Sequence, residues 1–453
     1  MNKDQRVKYF TNLLEDHKIG KKNSHGSMEL WYKNGRKSFP VFQIDLQYLV
    51  YNQYNGRIAS LVKSYEKQEG VVLDNTKSDH IELIKKFLWN SSKDSNRATK
   101  KDIAVKGQLK YGIVTKDGVI IDGNRRASIL EEIASERKDK PIYFLAVVLE
   151  EELNESPAEI MRLETTYQMG EDAKVDYNAI EKYLKCKDLI EAGFNEDQIG
   201  KMMSESEPKI KEYLSTLSLM EEYLEKINCS GIYTRLDKTE GAFVDVNNYL
   251  DRYKGGRSKI IKWKYDDSDV SDLKLIYFDY IRAIYNKDKK NDDDEGIMGG
   301  GDSKDYRFIG QTSKKGSFFS TKDVWDEFRD NHFKNIDPLR EVFEEGKYSL
   351  EKIREENPGL KLDEILKGRD IAWAKETSAH LKRNIGQTKY KLDLKNQQEE
   401  PMDLLRRAKS TLESIEAKSK AFLEDDAVYE IVKDLNKILY QFKKDIEHHE
   451  KHK

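Results

Sequence analysis

Cysteine is nearly missing from this chain: Cys186 and Cys229 are the only two in 453 residues. So sparse a pair excludes a disulfide framework and points to a reducing compartment, the cytoplasm. Long apolar runs are missing as well; none approaches the ~20 residues that a membrane-spanning helix needs. Residues 1–22 are charged throughout, unlike a secretory leader. A dominant charge sign is also lacking, since 80 Lys and Arg face 83 Asp and Glu, a net of −3. Nucleic-acid binding would therefore need a local patch. Residues 1–38 hold a local basic surplus, nine Lys/Arg against four Asp/Glu, which reads as a solvated arm. No GxxxxGK[ST] is present, so a P-loop is excluded. The acidic run Asp292–Glu295 lacks the ligand spacing of a calcium loop. His448, His449 and His452 read as a solvated terminal cluster rather than a zinc site.

What is present is a soluble-type composition, 37% hydrophobic and 36% charged, at a length that suggests two to four domains. The most informative stretch runs from Gly118 to Leu130. An apolar strand, Val119–Ile121, leads into Asp122, Gly123, Asn124, Arg125 and Arg126, and then into a helix through Ile129. Glycine at the turn lets a ligand approach the backbone. The first N–H groups of the helix favour phosphate or carboxylate, and two guanidinium groups offer forked donors that fit phosphate oxygens. The competing reading is a surface turn whose arginines pair with Glu131 and Glu132. Asp122 reads both as a helix cap and as a group that could position a water or a hydroxyl.

Strand and helix patterns alternate from Phe39 to Leu149. Val41–Leu46 reads as a strand, Ile58–Tyr65 and Ile81–Trp89 as helices, and Asn90–Lys101 as a polar connection. Tyr111–Val114 and Val119–Ile121 flank a Lys116–Gly118 turn as a hairpin, and Ile142–Leu149 reads as a buried strand. From Ser156 the pattern is helical. Tyr177–Ala192, a short helix capped by Asn195, and a helix opened by Pro208 have the shape of a helix-turn-helix. Five acidic and three basic residues between Phe194 and Thr216 make that element a poor DNA contact. Lys287–Asp305 reads as a charge- and glycine-rich linker. Val428, Ile431, Val432, Leu435, Ile438, Leu439, Phe442 and Ile446 form a helical seam, expected to pair with Leu404–Ile415 in a hairpin.

The fold class expected is α+β. A basic arm (1–38) precedes a small α/β nucleotide-binding domain (39–150) and a helix-turn-helix-like helical domain (151–228). A mixed, mostly helical region (229–395, with the loop 287–305) and a coiled-coil-like hairpin (396–453) follow.

Several of these residues carry a resemblance. Asn52–Arg57, Gly123–Arg126, Glu164–Gln168 and the helical segment Asp176–Leu219 occur in the order of the boxes of the ParB/sulfiredoxin superfamily. The region 39–220 most resembles the N-terminal half of ParB-type partition proteins. The resemblance implies a nucleoside triphosphate, CTP or ATP, held with Mg²⁺. Arg57, Gly123, Asn124, Arg125, Arg126, Ala127 and Ser128 would line the nucleotide site, and Glu164 would hold the metal. Three positions depart from the family: Asn124 stands for a glutamate, Thr165 for an asparagine and Gln168 for an arginine. Sulfiredoxins carry cysteine at position 124, so thiol chemistry is excluded here. Asp122, Gly123 and Arg126 also match the DGQQR-type modules of phage-defence proteins. The function expected is therefore a nucleotide-responsive switch, associated with DNA, that meets a second copy or a protein partner through its C-terminal helices. The alternative is an NTP-hydrolysing or phosphoryl-transfer module of phage defence, with Asp122 and Arg126 as its catalytic pair.

Overall fold

The computed structural model describes residues 1–33, 35–136, 141–171, 177–254, 261, 263–285, 305–311 and 316–452. The fold is mixed α+β. Helix α1 (Lys3–Lys18) is followed by strands β1 (Gly26–Tyr32) and β2 (Gly35–Asp45), then helices α2 (Ala59–Glu69), α3 (Ser78–Asn90) and α4 (Lys93–Lys106). Strands β3 (Gly112–Val114) and β4 (Ile120–Asp122), helix α5 (Asn124–Glu136) and strand β5 (Tyr143–Val148) complete a five-stranded sheet of order β1-β2-β5-β3-β4. β3 runs parallel to β5 and the other neighbours are antiparallel.

Adjacent residues in the strands point to two different cores, which explains their unbroken apolar character. Phe42, Ile44, Val114, Ile120, Phe144 and Ala146 pack on one side with α1 to α5. Val41, Ile113, Val119, Ile121 and Val147 pack on the other, against Ile160 and Leu163 of α6 (Pro157–Thr165). The centre of the sheet is thus buried on both faces, while β1 and the start of β2 stay partly exposed.

The N-terminal segment belongs to this unit and is not a solvated arm. Phe10 and Leu13 of α1 are core residues, and Arg6 Nε donates to the Asp117 carbonyl at 2.8 Å. Residues 26–32 pair along the whole of β1 with β2, so the expected boundary at 38/39 falls inside a hairpin. The expected polar connection at 90–101 is largely α4; its single deeply buried aliphatic residue, Ile103, leaves no apolar period to read.

After α6 the helix widens to a π-type segment, Thr166–Glu171. Helices α7 (Ala179–Glu191), α8 (Glu196–Met203) and α9 (Glu207–Lys226) pack together as the expected trihelical unit, with a capping box at Asn195 opening α8. α9 ends at Lys226, and a turn with positive φ at Asn228 and Gly231 follows. A 3₁₀ turn at Tyr233–Leu236 returns to α2, where Thr234 N donates to Ser64 Oγ at 3.0 Å. Helices α10 (Glu240–Lys254), α11 (Asp267–Tyr285), α12 (Arg307–Gly310), α13 (Lys322–Glu344), α14 (Leu350–Glu356) and α15 (Leu362–Glu413) follow. The expected linker 287–305 lies outside the described residues except for Asp305.

The chain divides into two compact units, residues 1–385 and 386–453. The second unit holds the end of α15, α16 (Lys420–Leu423) and α17 (Asp426–Lys451). Its expected hairpin is not closed: Leu404, Leu405 and Leu412 of α15 and Ile431, Ile438, Phe442 and Ile446 of α17 are all exposed.

Candidate functional site

Two segments far apart in sequence frame one cleft of about 310 Å³. Asn55 and Arg57 come from the loop before α2, and Asp122, Gly123, Asn124, Arg125 and Arg126 from the β4–α5 turn. The turn is built on Gly123, whose φ of +101° is strained for any other residue. A Cβ there would also lie 2.7 Å from Phe144 Cζ and 3.2 Å from an Arg126 guanidinium nitrogen. β4 ends at Asp122 and α5 begins at Asn124, so the first amides of α5 open toward the cleft.

Asn124 is buried and acts as a tie. Its Oδ1 accepts from Asn52 N at 2.9 Å and its Nδ2 donates to the Ile120 carbonyl at 2.8 Å. The loop 52–57 is thereby fastened to the strand that delivers the arginines. Asp122 does not cap α5 as expected: its carboxylate accepts from Arg126 NH2 at 2.6 Å. Arg126 NH2 also donates to the Tyr111 carbonyl at 3.1 Å, while its Nε is buried with no partner. Arg125 reaches Ser95 Oγ at 3.3 Å.

Arg57 is held differently. Its guanidinium lies over the Tyr177 ring, 4.2 Å from the centroid, and among the described residues no carboxylate pairs with it. Tyr177 Oη donates to Gln168 Oε1 at 2.7 Å, and Gln168 Nε2 donates to the Ile121 carbonyl at 2.7 Å. Burial pushes the Tyr177 phenol well above its ordinary value, against the opposing pull of Arg57. The stack therefore holds a neutral ring under a fixed cation.

Three expected site residues fall elsewhere. Ala127 is core, its N–H bonded to the Gly123 carbonyl at 2.9 Å. Ser128 faces a different hollow beside Glu82, Lys85 and Glu131. Glu164 lines a second cleft of about 460 Å³. Its carboxylate is buried and engaged, by Lys185 Nζ at 2.6 Å and Gly56 N at 3.3 Å. Conversely, the far wall of the arginine cleft was missed in the sequence. Thr99, Asp102 and Ile103 of α4, with Gln108, Leu109 and Lys110, supply it. An exposed Leu109 beside lysines carried no periodic signal to mark it.

α7 braces the same loop from below. Lys185 pairs with Glu164, and Glu181, one turn earlier, accepts from Ser60 N and Ser60 Oγ at the start of α2. Ile58 provides no side-chain cap for α2, so Glu181 is a cap supplied from another helix. Burial pushes its carboxyl up to about 7, opposed by those hydrogen bonds. Cys186 and Cys229 are buried, which pushes both thiols up to about 12 and leaves them poor nucleophiles.

No protein-family model matches the chain, and no curated protein matches it. The site is read from its own chemistry. Three arginines, a glycine turn and a helix start converge on one concavity, an arrangement suited to a phosphate-bearing anion. Among the described residues no group of three or more His, Cys, Asp or Glu side chains could hold a metal ion, and no helix is long and apolar enough to cross a membrane.

Proposed function

We propose that the chain binds a nucleoside triphosphate, CTP or ATP, through its phosphates in the cleft between the Asn52–Arg57 loop and the start of α5. The observation that carries this reading is Arg57, a guanidinium that pairs with no carboxylate among the described residues, lining the same cleft as the Gly123–Arg126 turn. Leaving a cation unpaired in a partly buried site costs stability, and a bound anion offsets that cost. The ParB-like order of the boxes agrees with it. Tyr177 lies two residues before α7, so occupancy at Arg57 would be felt by the helices that follow. This makes the protein a nucleotide-responsive switch, with its C-terminal helices available for a protein contact.

Phosphate fits this donor set; magnesium at Glu164 does not. That carboxylate is neutralised by Lys185 and lies behind the loop, so a magnesium ion would have to arrive on the nucleotide's own phosphates. DNA association gains little support. Lys201, Lys209 and Lys211 of the trihelical unit pair with Asp197, Glu212 and Glu207. α10 also covers part of α9, where Asn247 Nδ2 bonds Ser215 Oγ at 2.8 Å.

The alternative, a phosphoryl-transfer module of phage defence, would draw on Asp122 in the cleft. Asp122 is held by Arg126 and Asp102 by Lys106 at 2.6 Å, so binding without turnover is the better-supported reading.

Equilibrium titration of CTP, ATP and GTP with and without Mg²⁺, against Arg57→Ala and Arg126→Ala, tests the proposal. At least one nucleotide should bind the native chain and lose tenfold or more in each variant. Failure of all three to bind would refute it, and steady phosphate release would favour the enzymatic alternative.

A further inference from the structure

α17 presents an apolar stripe that is largely exposed among the described residues. Val428, Ile431, Val432, Leu435, Ile438, Leu439, Phe442 and Ile446 fall within an arc of about 120° at about 100° per residue. Ile431, Val432, Ile438, Leu439, Phe442 and Ile446 are 47% to 61% exposed. The end of α15 has a shorter stripe of the same kind, Leu405, Ala408 and Leu412, continued by Ile415. A patch of this extent marks a protein contact rather than a solvated helix.

The width of the stripe decides what covers it. A two-stranded coiled coil buries the first and fourth positions of each heptad, a narrow seam. Here a third position in each heptad is apolar as well, held by Val432, Leu439 and Ile446. A stripe three positions wide is the core face of a bundle, where each helix meets two neighbours. Among the described residues of the second unit one chain supplies two such helical arms, so a closed core needs two more.

The charges permit the missing arms to be identical ones. α17 carries five Lys and six Asp or Glu, a net of −1. Several pair along its own polar surface, Lys433 with Glu430, Lys437 with Asp434 and Lys443 with Glu447. A balanced surface neither repels its copy nor demands a partner of opposite sign. The 26 residues of α17 span about 39 Å. With the α15 arm this is a strip on the order of 600 Å² per chain, near the ~800 Å² per partner of a stable interface.

We infer that residues 402–446 of two copies of this chain form a four-helix bundle, two arms from each. This is independent of the nucleotide site. Light scattering on the full chain should give about twice its 53.0 kDa. Ile438→Glu with Phe442→Glu changes exposed residues only and should return the monomer mass with an unchanged melting transition. Leu405→Glu with Leu412→Glu should do the same, because a bundle needs the α15 arm. A monomeric native chain at 100 µM would overturn the inference. So would a dimer that survives the α17 variant, or a trimer. A dimer lost in the α17 variant but intact in the α15 variant would overturn the bundle in favour of a two-stranded coil.

Discussion

The Arg57 guanidinium lies 4.2 Å above the ring of Tyr177, whose hydroxyl is tied through Gln168 to the Ile121 carbonyl of β4. A flexible cation is thus held on a rigid aromatic shelf that leaves its N–H groups for another acceptor. Tyr177→Leu removes the shelf. Phosphate-ligand affinity is expected to fall about 3- to 30-fold, the range of a partly buried cation–π contact. Tyr177→Phe keeps the ring and should retain most of the affinity. Calorimetric titration of the nucleotide that binds the native chain separates the two; equal losses would show that the hydroxyl bond, not the ring, positions Arg57.

The β4–α5 turn has room for glycine alone. Gly123→Ala imposes a strained φ and drives a methyl into Phe144, so a loss of about 2–4 kcal/mol is expected. Urea unfolding monitored by circular dichroism measures it. A loss below 0.5 kcal/mol would mean that the turn relaxes readily and that its shape is not built in.

Glu164 and Lys185 form a buried pair at 2.6 Å. Lys185→Met strands a carboxylate in the interior and should cost about 3–5 kcal/mol. Lys185→Met with Glu164→Leu removes both charges and should recover most of that loss. If the double variant is no better than the single one, the carboxylate has another partner, and a metal role for Glu164 returns to consideration.

Glu181 makes stability depend on pH in an unusual direction. Its carboxyl titrates at about 7 in the fold against about 4.3 in an unfolded chain. The folded state therefore holds the proton more tightly. This contribution is complete below about pH 4.3 and is lost as pH rises through 7. Glu181→Gln should remove it: the variant is expected to gain on the native chain by on the order of 3 kcal/mol between pH 4.5 and 8. Parallel melts across that range provide the check, and a constant difference would show that Glu181 is ionised throughout.

The parts of the sheet with two apolar faces could be read from the sequence. The Val119–Ile121 run and most of the Ile142–Leu149 run, from Phe144 on, bury residues on both sides, and the hairpin at Lys116–Gly118 carries its own turn signal. β1 was not legible, because Glu29 and the flanking Lys and Gly residues hide its alternation. α4 was not legible because its packing rests on Ile103 and a buried Asn96. At the site, Arg126 stood out as a candidate phosphate ligand from its place after the glycine turn, and Arg57 only through the family resemblance. The pairing of Glu164 with Lys185, 21 residues on, depends on how α7 lies against α6, and no local pattern encodes that. Asn124 stands out in the sequence as a departure from a family box; only the fold shows it fastening Asn52 to Ile120.

Arg6 binds the Asp117 carbonyl, 111 residues ahead of it, and Phe10 sits among side chains that include Phe144 and Ala146. During synthesis α1 emerges well before the surface that receives it. At ~5–20 residues per second, Phe10 and Leu13 remain uncovered for roughly 7–30 seconds. α1 is therefore one of the last pieces of its sheet domain to find its place, and a stretch of apolar surface that a nascent-chain chaperone could hold meanwhile.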